Sequence, residues 1–200
     1  YDNLPFHPEK SFTPITIPAR NNNILVVHPR HNVANLDDFI RLLRANPGKL
    51  NFASAGNGSF SHVAPVLFSL ETRTEAGHVP YSGIAPAMLA LLAGQVDYMF
   101  DSATGIPHIA AGKLKALAVT GPRRLAALPQ VPAFRELNLP GMESARSFYV
   151  VMAPAGTPPA VIARLNTELV KVLKQPAVSE KIAAMGLEPA GTSAEELAAN

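Results

Sequence analysis

The glycine-rich stretch NFASAGNGSFSH, at residues 51–62, holds the side chains best suited to chemistry. A strand-like run ends at Ala53, and a helical pattern begins near His62. Between them lie Ser54, Ala55, Gly56, Asn57, Gly58 and Ser59. Glycines let the backbone approach a ligand closely, and a helix N-terminus favours an anion by roughly 0.3–1 kcal/mol. The stretch therefore predicts either a carboxylate-binding loop or a tight turn in which Ser59 caps the helix.

Two further segments of small polar residues follow predicted strands. Tyr81 and Ser82 come after HVP, and Asp101, Ser102 and Thr104 come after MF. In an open α/β sheet, ligands bind beyond the carboxyl ends of the strands. We therefore expect these two segments to lie at the same edge of the sheet as the 54–59 loop.

Enzymatic alternatives use the same residues. Because histidine side chains titrate near neutrality, His62 would act as a base for a Ser59 or Ser61 nucleophile, with Asp101 orienting the ring. The sequence contains no GxSxG elbow that would support such a hydrolase. Asp97 and Asp101 form a candidate carboxylate pair of the glycosidase kind, with no third supporting feature. His62 is also typical of a packed position in the first turn of a helix.

Composition excludes several classes of function. The 200 residues include 17 basic and 15 acidic side chains, and the net charge of +2 is too small and scattered to indicate nucleic-acid binding. The sequence has no cysteine, which excludes disulfides, thiolate metal sites and cysteine nucleophiles. The histidines lack metal-ligand spacing, and His28 and His31, which flank Pro29, are expected to be solvated. No cofactor, metal, membrane span or signal peptide is predicted.

Alternating strands and helices predict an α/β fold. Strands are expected at 23–29, 50–54, 78–81, 96–100 and 114–120, and helices at 35–49, 61–73, 83–95 and 105–113. This alternation predicts a parallel sheet covered by helices. Asn35 is expected to cap the first helix, and Pro65 is compatible with the second helix only in its first turn.

The two ends of the chain are organised differently. Four prolines in the first 18 residues predict an irregular, extended lead-in. A strand is expected at 147–154, followed by helices at 157–175, 176–186 and 192–200. Thr157 is expected to cap the first of these helices, with Pro158 at its first position. That helix has an apolar stripe formed by Val161, Ile162, Leu165, Leu169, Val172 and Leu173.

Several longer motifs occur together in an order that resembles one protein family. They are YDNLPFHPEKSFTPIT, LVVHP, PGKLNFASAGNGSFSHVA, HVPYSGIAPAMLALLAGQVDYMFDS, PHIAAGKLKALAVTGPRRLAALPQVPAFRELNLPG, APAGTPPAVIARLN and AAMGLEPAGTSAEELA. The resemblance covers the whole chain. On these motifs the sequence is similar to the TctC-like, or Bug, substrate-binding proteins of tripartite tricarboxylate transporters.

The resemblance implies a type II periplasmic binding protein, in which two α/β lobes joined by crossing strands close on a small carboxylate. Such proteins pass the ligand to a membrane permease and are not enzymes. The implied function is capture of a di- or tricarboxylate or an acidic amino acid in the periplasm. The implied domains are a first-lobe remnant and hinge at 1–23, a complete second lobe with a parallel-rich sheet at 24–145, and a crossing strand with first-lobe helices at 146–200.

The resemblance also implies which residues meet the ligand. The family's ASAGNGS loop touches it, often through ordered waters, which corresponds here to Ser54, Ala55, Gly56, Asn57, Gly58 and Ser59. His62, which follows the loop, Tyr81 of VPYSG and Asp101 of MFD complete the expected ligand-binding set. Asp101 suits an amino group or a water better than an anion.

The chain departs from the family pattern at both ends. Full members begin with a secretion signal and a first-lobe segment with a P.GG..D loop, which supplies the other half of the carboxylate clamp and is absent here. The last helix stops early, and SATG stands where NLPS is usual after MFD. Exposed first-lobe edges are expected to pair with another copy, which predicts a homodimer. The alternatives left open are a Ser/His hydrolase, an effector-sensing module and a truncated remnant that binds nothing.

Overall fold

The computed structural model describes residues 4–199, which fall into two compact units. One unit is the continuous segment Asn22–Ser147. The other unit joins Tyr1–Asn21 to Phe148–Asn200, and the description of its structure covers residues 4–21 and 148–199. Each unit has its own strands and its own helices.

Strands and helices of the described residues follow the predicted order over most of the chain. The strands are β1 (Phe12–Thr16), β2 (Ala19–Asn21), β3 (Ile24–Val27), β4 (Asn51–Ser54), β5 (Gly77–Pro80), β6 (Tyr98–Asp101), β7 (Lys115–Val119), β8 (Ser147–Phe148), β9 (Val151–Pro154) and β10 (Leu187–Pro189). The α-helices are α1 (Leu36–Ala45), α2 (Phe60–Thr72), α3 (Ile84–Leu92), α4 (Ile106–Ala110), α5 (Pro159–Leu173), α6 (Pro176–Ala184) and α7 (Ala194–Ala198). Each element expected between residues 23 and 120 is present. None of the helices within residues 4–199 is long and apolar enough to cross a membrane.

The Asn22–Ser147 unit is built on one mixed sheet in the strand order β5-β4-β6-β3-β7. Strand β4 runs parallel to both β5 and β6. Strand β3 lies antiparallel between β6 and β7, with Ile24 opposite Asp101 on one side and Val119 on the other. The predicted α/β class is therefore confirmed, and the sheet is mixed, because β3 runs antiparallel to its neighbours in a sheet that the alternation predicted to be parallel. The alternation begins only after β3, so it does not indicate the direction in which β3 enters the sheet.

Helices cover both faces of this sheet. On one face, Phe52 of β4 belongs to an apolar cluster with Phe39 of α1 and Phe68 of α2. On the other face, Val26 of β3 and Met99 of β6 cluster with buried side chains of α3. Burial on both faces explains why the strands are apolar at nearly every position.

The starts of the first two helices decide the predicted roles of Asn35 and Pro65. Asn35 caps α1 as predicted, because its side-chain oxygen accepts a hydrogen bond from the Asp38 amide at 2.9 Å. Helix α2 begins at Phe60, so Pro65 is its sixth residue and lies beyond the first turn. The expectation for Pro65 is therefore wrong, and the helix continues past a residue that has no N–H to donate.

Asp97 forms a buried clamp at the end of the sheet opposite the glycine-rich loop. Its carboxylate accepts hydrogen bonds from the Asn51 amide at 2.6 Å and from Arg30 at 2.5 Å, and it contacts the His31 ring at 2.8 Å. Burial by itself would raise the pKa of Asp97, but these partners outweigh it and lower the pKa. His31 is therefore held by Asp97, and the expectation that it is solvated is wrong.

The other unit contains two small sheets. Strand β1 pairs antiparallel with β9, and β10, β2 and β8 form a three-stranded sheet in that order. The expectation of an irregular lead-in is thus wrong over Phe12–Thr16, where a two-stranded sheet accommodates Pro14. The single strand expected at 147–154 forms the two short strands β8 and β9.

Helix α5 has the predicted apolar stripe but buries only part of it. Ile162 and Leu173 are buried. Three other members of the stripe are 41–44% exposed: Val161, Leu165 and Val172. Pro158 occupies the capping position, while the Thr157 hydroxyl donates to the Pro154 carbonyl at 2.7 Å. The prediction that Thr157 caps this helix is wrong.

Replacing Asp97 with alanine should destabilise the chain by roughly 3 kcal/mol, because it leaves part-buried donors without their buried acceptor. The matched variant is Glu143→Ala, which breaks an exposed ion pair with Arg135 at 3.4 Å. That variant should cost less than about 1 kcal/mol. Urea denaturation measures both, and equal losses would contradict a structural role for the Asp97 clamp.

Candidate ligand-binding site

Three loops meet at one edge of the sheet in the Asn22–Ser147 unit. Because β5, β4 and β6 are parallel neighbours, their carboxyl ends lie side by side. The 54–59 loop follows β4, Tyr81 follows β5, and Asp101 ends β6. The Tyr81 amide donates to the Ser54 carbonyl at 2.9 Å, which joins the first two segments. This edge is the candidate site, since ligands of open α/β sheets bind beyond the carboxyl ends of strands.

Two glycines give the 54–59 loop its shape. Gly56 has φ of +115° and Gly58 has φ of +73°, both in the range that side chains disfavour. A Cβ added at Gly56 would also lie 3.5 Å from the Tyr81 carbonyl oxygen. The loop can therefore turn sharply from β4 into α2 and lie close to the segment after β5.

Most amides of the loop are already paired within it or with α2. The donors and acceptors are Ala55 to Ser61 Oγ (2.9 Å), Gly56 to Ser54 Oγ (3.1 Å), Gly58 to His62 Nδ1 (3.1 Å) and Ser59 to the Gly56 carbonyl (3.2 Å). In this arrangement these four N–H groups do not point at a ligand. Asn57, at the tip of the loop, is an exposed residue.

The two serine hydroxyls at the start of α2 close the loop. Ser59 occupies the N-cap position but makes no side-chain capping bond. Its hydroxyl instead donates to the Gly56 carbonyl at 2.7 Å and lies 3.1 Å from the Ser61 hydroxyl. The alternative in which Ser59 caps the helix with its side chain is therefore wrong. The serine hydroxyls therefore form hydrogen bonds within the loop and with each other.

Two histidines flank the loop, and only His62 was predicted as a site residue from the sequence. His62 of α2 and His78 of β5 stack with ring centroids 4.0 Å apart and an interplanar angle of 6°. His78 also stacks on Phe52, its directly paired neighbour on β4, at 4.8 Å. His78 could have been predicted as a site residue from its position beside Phe52. That position follows only from the register in which β4 pairs with β5.

The arrangement does not assemble the expected hydrolase. Within the described residues, no hydrogen bond joins His62 to the Ser59 or Ser61 hydroxyl, and the His62 Nδ1 atom is occupied by the Gly58 amide. A different contact joins Ser54 Oγ to His78 Nε2 at 2.6 Å. Ser54 is fully buried, so its hydroxyl is not placed to attack a substrate.

Asp101 organises its own loop and does not present a free carboxylate. It is fully buried, and its two oxygens accept hydrogen bonds from the Thr104 hydroxyl and the Gly105 amide, each at 2.6 Å. A Cβ at Gly105 would lie 2.7 Å from Oδ2, so this approach requires glycine. Burial raises the pKa of Asp101 to about 6, although the Thr104 hydroxyl and nearby amides favour the charged form.

The glycosidase-like pair and a metal centre receive no support from the geometry. Asp97 directly precedes β6 and Asp101 ends it, and each carboxylate has its own local donors. No cluster of three or more metal-ligating side chains occurs in residues 4–199.

The fold and the loop edge define a class of protein, the type II periplasmic binding proteins. A solved periplasmic transporter matches 99% of the chain, with a TM-score of 0.87 and 34% identity. The periplasmic binding protein BugD matches all of it, with a TM-score of 0.84 and 31% identity. The family model for the tripartite tricarboxylate transporter family receptor matches residues 1–199. The chain belongs to that receptor family.

Curated relatives and ligand-bound structures extend the comparison. A protein from the tcbD–tcbE intergenic region of a Pseudomonas species is 38% identical over 200 residues, and BugT of Bordetella pertussis is 33% identical over 187 residues. The matches cover 99% and 93% of this chain but only 59% and 57% of those proteins.

Two solved structures carry a named ligand. They are a Rhodopseudomonas palustris protein with adipate (32% identity, TM-score 0.88) and MatC of the same organism with malate (30%, 0.84). Each match covers 98% of this chain, and 66% or 68% of the other chain.

The raised pKa of Asp101 predicts an opposite pH dependence from that of Asp97. The folded chain keeps the Asp101 proton up to about pH 6, whereas the unfolded chain loses it near 3.8, so this carboxyl's contribution to stability falls as pH rises through that window. Asp101→Asn should therefore gain stability relative to the natural chain between pH 4 and 7, by up to roughly 3 kcal/mol.

Asp97→Asn is the matched comparison. Because the folded state lowers the pKa of Asp97 below its ordinary value of 3.8, this variant should lose relative stability as pH rises to about 4, a lower window than that of Asp101. Urea denaturation at several pH values gives both differences. A flat difference for Asp101→Asn would show that this carboxyl does not titrate abnormally.

Proposed function

We propose that this chain is a periplasmic solute-binding protein that captures a small carboxylate for a tripartite tricarboxylate transporter. The ligand is a di- or tricarboxylate or an acidic amino acid. Membership of the receptor family supports this proposal, as do the adipate and malate held by two similar structures. The chain spans a little under two thirds of the length of the first relatives it matches, so the activity of the whole protein is part of the proposal.

The observation that carries the proposal is the preformed loop at the carboxyl edge of the sheet. Its glycine conformations and internal hydrogen bonds fix its shape before any ligand arrives, which lowers the entropy lost on binding. Asn57 at the exposed tip supplies an amide donor for a ligand carboxylate, and the loop joins the N-terminus of α2, whose dipole favours an anion.

We assign residues 24–145 to the ligand-binding lobe and residues 1–23 and 146–200 to the other lobe and the connecting strands. The proposed ligand-binding residues are Ser54, Ala55, Gly56, Asn57, Gly58, Ser59, His62, Tyr81 and Asp101. Their parts differ. Asn57 contacts the ligand directly, whereas Gly56, Ser59 and Asp101 act by shaping the loops, in keeping with their internal hydrogen bonds.

The proposed role is binding and transfer to the membrane permease, without catalysis. The hydroxyls of Ser59 and Ser61 bond to each other and to the loop, and the Ser54 hydroxyl, which contacts His78, is buried. An incubation of the chain with malate or an ester of it should therefore return the compound unchanged.

Asn57→Ala should weaken binding of malate or adipate roughly tenfold to a hundredfold, because it removes a hydrogen bond to a charged group. Isothermal titration calorimetry measures the affinity, after a thermal-shift screen of di- and tricarboxylates, aspartate and glutamate identifies the best ligand. The matched control is Gln95→Ala, an exposed amide just before β6 at the opposite end of the sheet.

The control variant should bind as the natural chain does. Equal affinity in the natural chain and Asn57→Ala would remove the loop tip from the site. No response to any carboxylate would contradict the proposed function of this chain and favour a remnant that binds nothing.

We also propose that the chain forms a homodimer through the unit that contains β1 and β9. Each of these strands has one neighbour among the described residues, and a row of apolar side chains is 42–55% exposed: Phe148, Tyr149, Val150 and Met152. Exposed sheet edges and apolar patches favour association.

Light scattering over a concentration series should give a mass that rises towards that of a dimer. The double change Tyr149→Ser with Met152→Ser should shift the mass towards the monomer. The control Leu70→Ser, which alters a 72% exposed side chain on α2, should not. A monomer mass at every concentration would contradict the dimer.

A further inference from the structure

His62 and His78 hold the two ends of the 54–59 loop. At its beginning, the Ser54 hydroxyl lies 2.6 Å from His78 Nε2 and also accepts the Gly56 amide. Near its end, the Gly58 amide donates to His62 Nδ1 at 3.1 Å. Because the rings stack at 4.0 Å and nearly parallel, a movement of one ring would be transmitted to the other.

The contact from Gly58 fixes the proton state of His62. An amide N–H can donate to a ring nitrogen only if that nitrogen carries no proton. Protonation at Nδ1 would place two donors against each other, so the loop would lose this attachment. His62 is thus held in the form with a bare Nδ1 as long as the loop keeps its present shape.

The surroundings of His78 oppose a positive charge. Burial lowers the pKa of His78, and the charge of His62 lowers it further. The neighbouring strand β4 faces the rings with Phe52 and the Ser54 hydroxyl, and α2 contributes His62 itself. Strand β5 is the edge of the sheet, so no strand lies beyond His78 within the described unit. Among the described residues, no carboxylate contributes to the pKa of His78.

We propose that His62 and His78 are a proton-sensitive pair of positioning residues, which hold the 54–59 loop in its binding shape only while His62 Nδ1 carries no proton. The ligand consequence rests on the proposed function. Carboxylate affinity should fall as pH drops through the histidine range, by up to about tenfold per pH unit below the pKa of the linked ring. A site in which the histidines simply contact the ligand would behave oppositely, because imidazolium attracts a carboxylate.

Three variants separate the roles of the ring. His62→Asn keeps an acceptor near the position of Nδ1 but cannot take up a proton in this pH range. His62→Phe keeps the stacked ring and removes the acceptor. His108→Asn, on α4, is the matched control for loss of a histidine elsewhere in the same unit.

The first measurement follows the Gly58 amide by ¹H–¹⁵N NMR between pH 5 and 8, with no carboxylate added. Its resonance should shift with the same midpoint as the His62 ring in the natural chain and in His108→Asn. In His62→Asn it should not shift at that midpoint. A Gly58 resonance that ignores the His62 titration would overturn the proposal, whatever the chain binds.

The second measurement compares malate and adipate affinities at pH 7.5 and 5.5 by calorimetry. The natural chain should lose more affinity at pH 5.5 than His62→Asn does, and His62→Phe should bind weakly at both values. Asp101 and the ligand itself also titrate in this range, but His62→Asn retains both, so the difference between the two chains isolates the histidine. An affinity that rises on acidification only in the natural chain would overturn the proposal. If neither acid binds, the proposed function fails, while the NMR result still decides the role of the pair.

Discussion

The arrangement of the candidate site depends on the buried carboxylate of Asp97. This side chain is bonded to the first residue of β4 and to the turn that follows β3, while its own backbone leads into β6. It therefore holds three adjacent strands in fixed register at one end of the sheet. The carboxyl ends of β4 and β6 lie one strand length away, so the positions of the 54–59 loop and of Asp101 follow from that register. A buried ionised group is stable here because its donors offset the cost of its burial.

Several polar groups of the loop edge are hydrogen-bonded within the protein and not directed at a ligand. Serine hydroxyls, a histidine nitrogen and a carbonyl take up four loop amides, and Asp101 does the same for the turn after β6. These internal hydrogen bonds fix the shape of the site, which reduces the cost of ordering on binding. The paired loop amides are not offered to a ligand, and the proposed recognition centres on Asn57, the exposed residue at the loop tip.

The elements of the Asn22–Ser147 unit could be predicted well because their signals are local. Asn35 before an amphipathic run and a glycine after α3 are sufficient to locate helix ends. The direction of β3 could not be predicted, since it depends on pairing between strands far apart in sequence. Similarly, β1 and β2 escaped detection because their partners β9 and β10 are more than 130 residues away, and Pro14 argued against a strand.

The site was predictable in its location but not in its chemistry. The glycines and serines of the 54–59 loop identified the place, because their conformational freedom is encoded in residue type. The identity of each acceptor was not encoded: Ser59 bonds to the loop and not to the helix, and the partner of Ser54 is a histidine 24 residues away. Which histidine matters depends on the stacking of His78 on Phe52, and this is set by the pairing of β4 with β5.

Charge explains how such an edge would select a carboxylate. The 54–59 loop, the residues after β5 and the turn after β6 contain no lysine or arginine. An anion there would be held by neutral donors and by the N-terminus of α2, whose field acts over about one turn. Neutral donors do not attract anions from a distance, and bulk salt weakens them less than it weakens an exposed ion pair. Selection would then depend on the geometry of a few hydrogen bonds, so the shape of the loop, and the residues that maintain that shape, become the determinants of specificity.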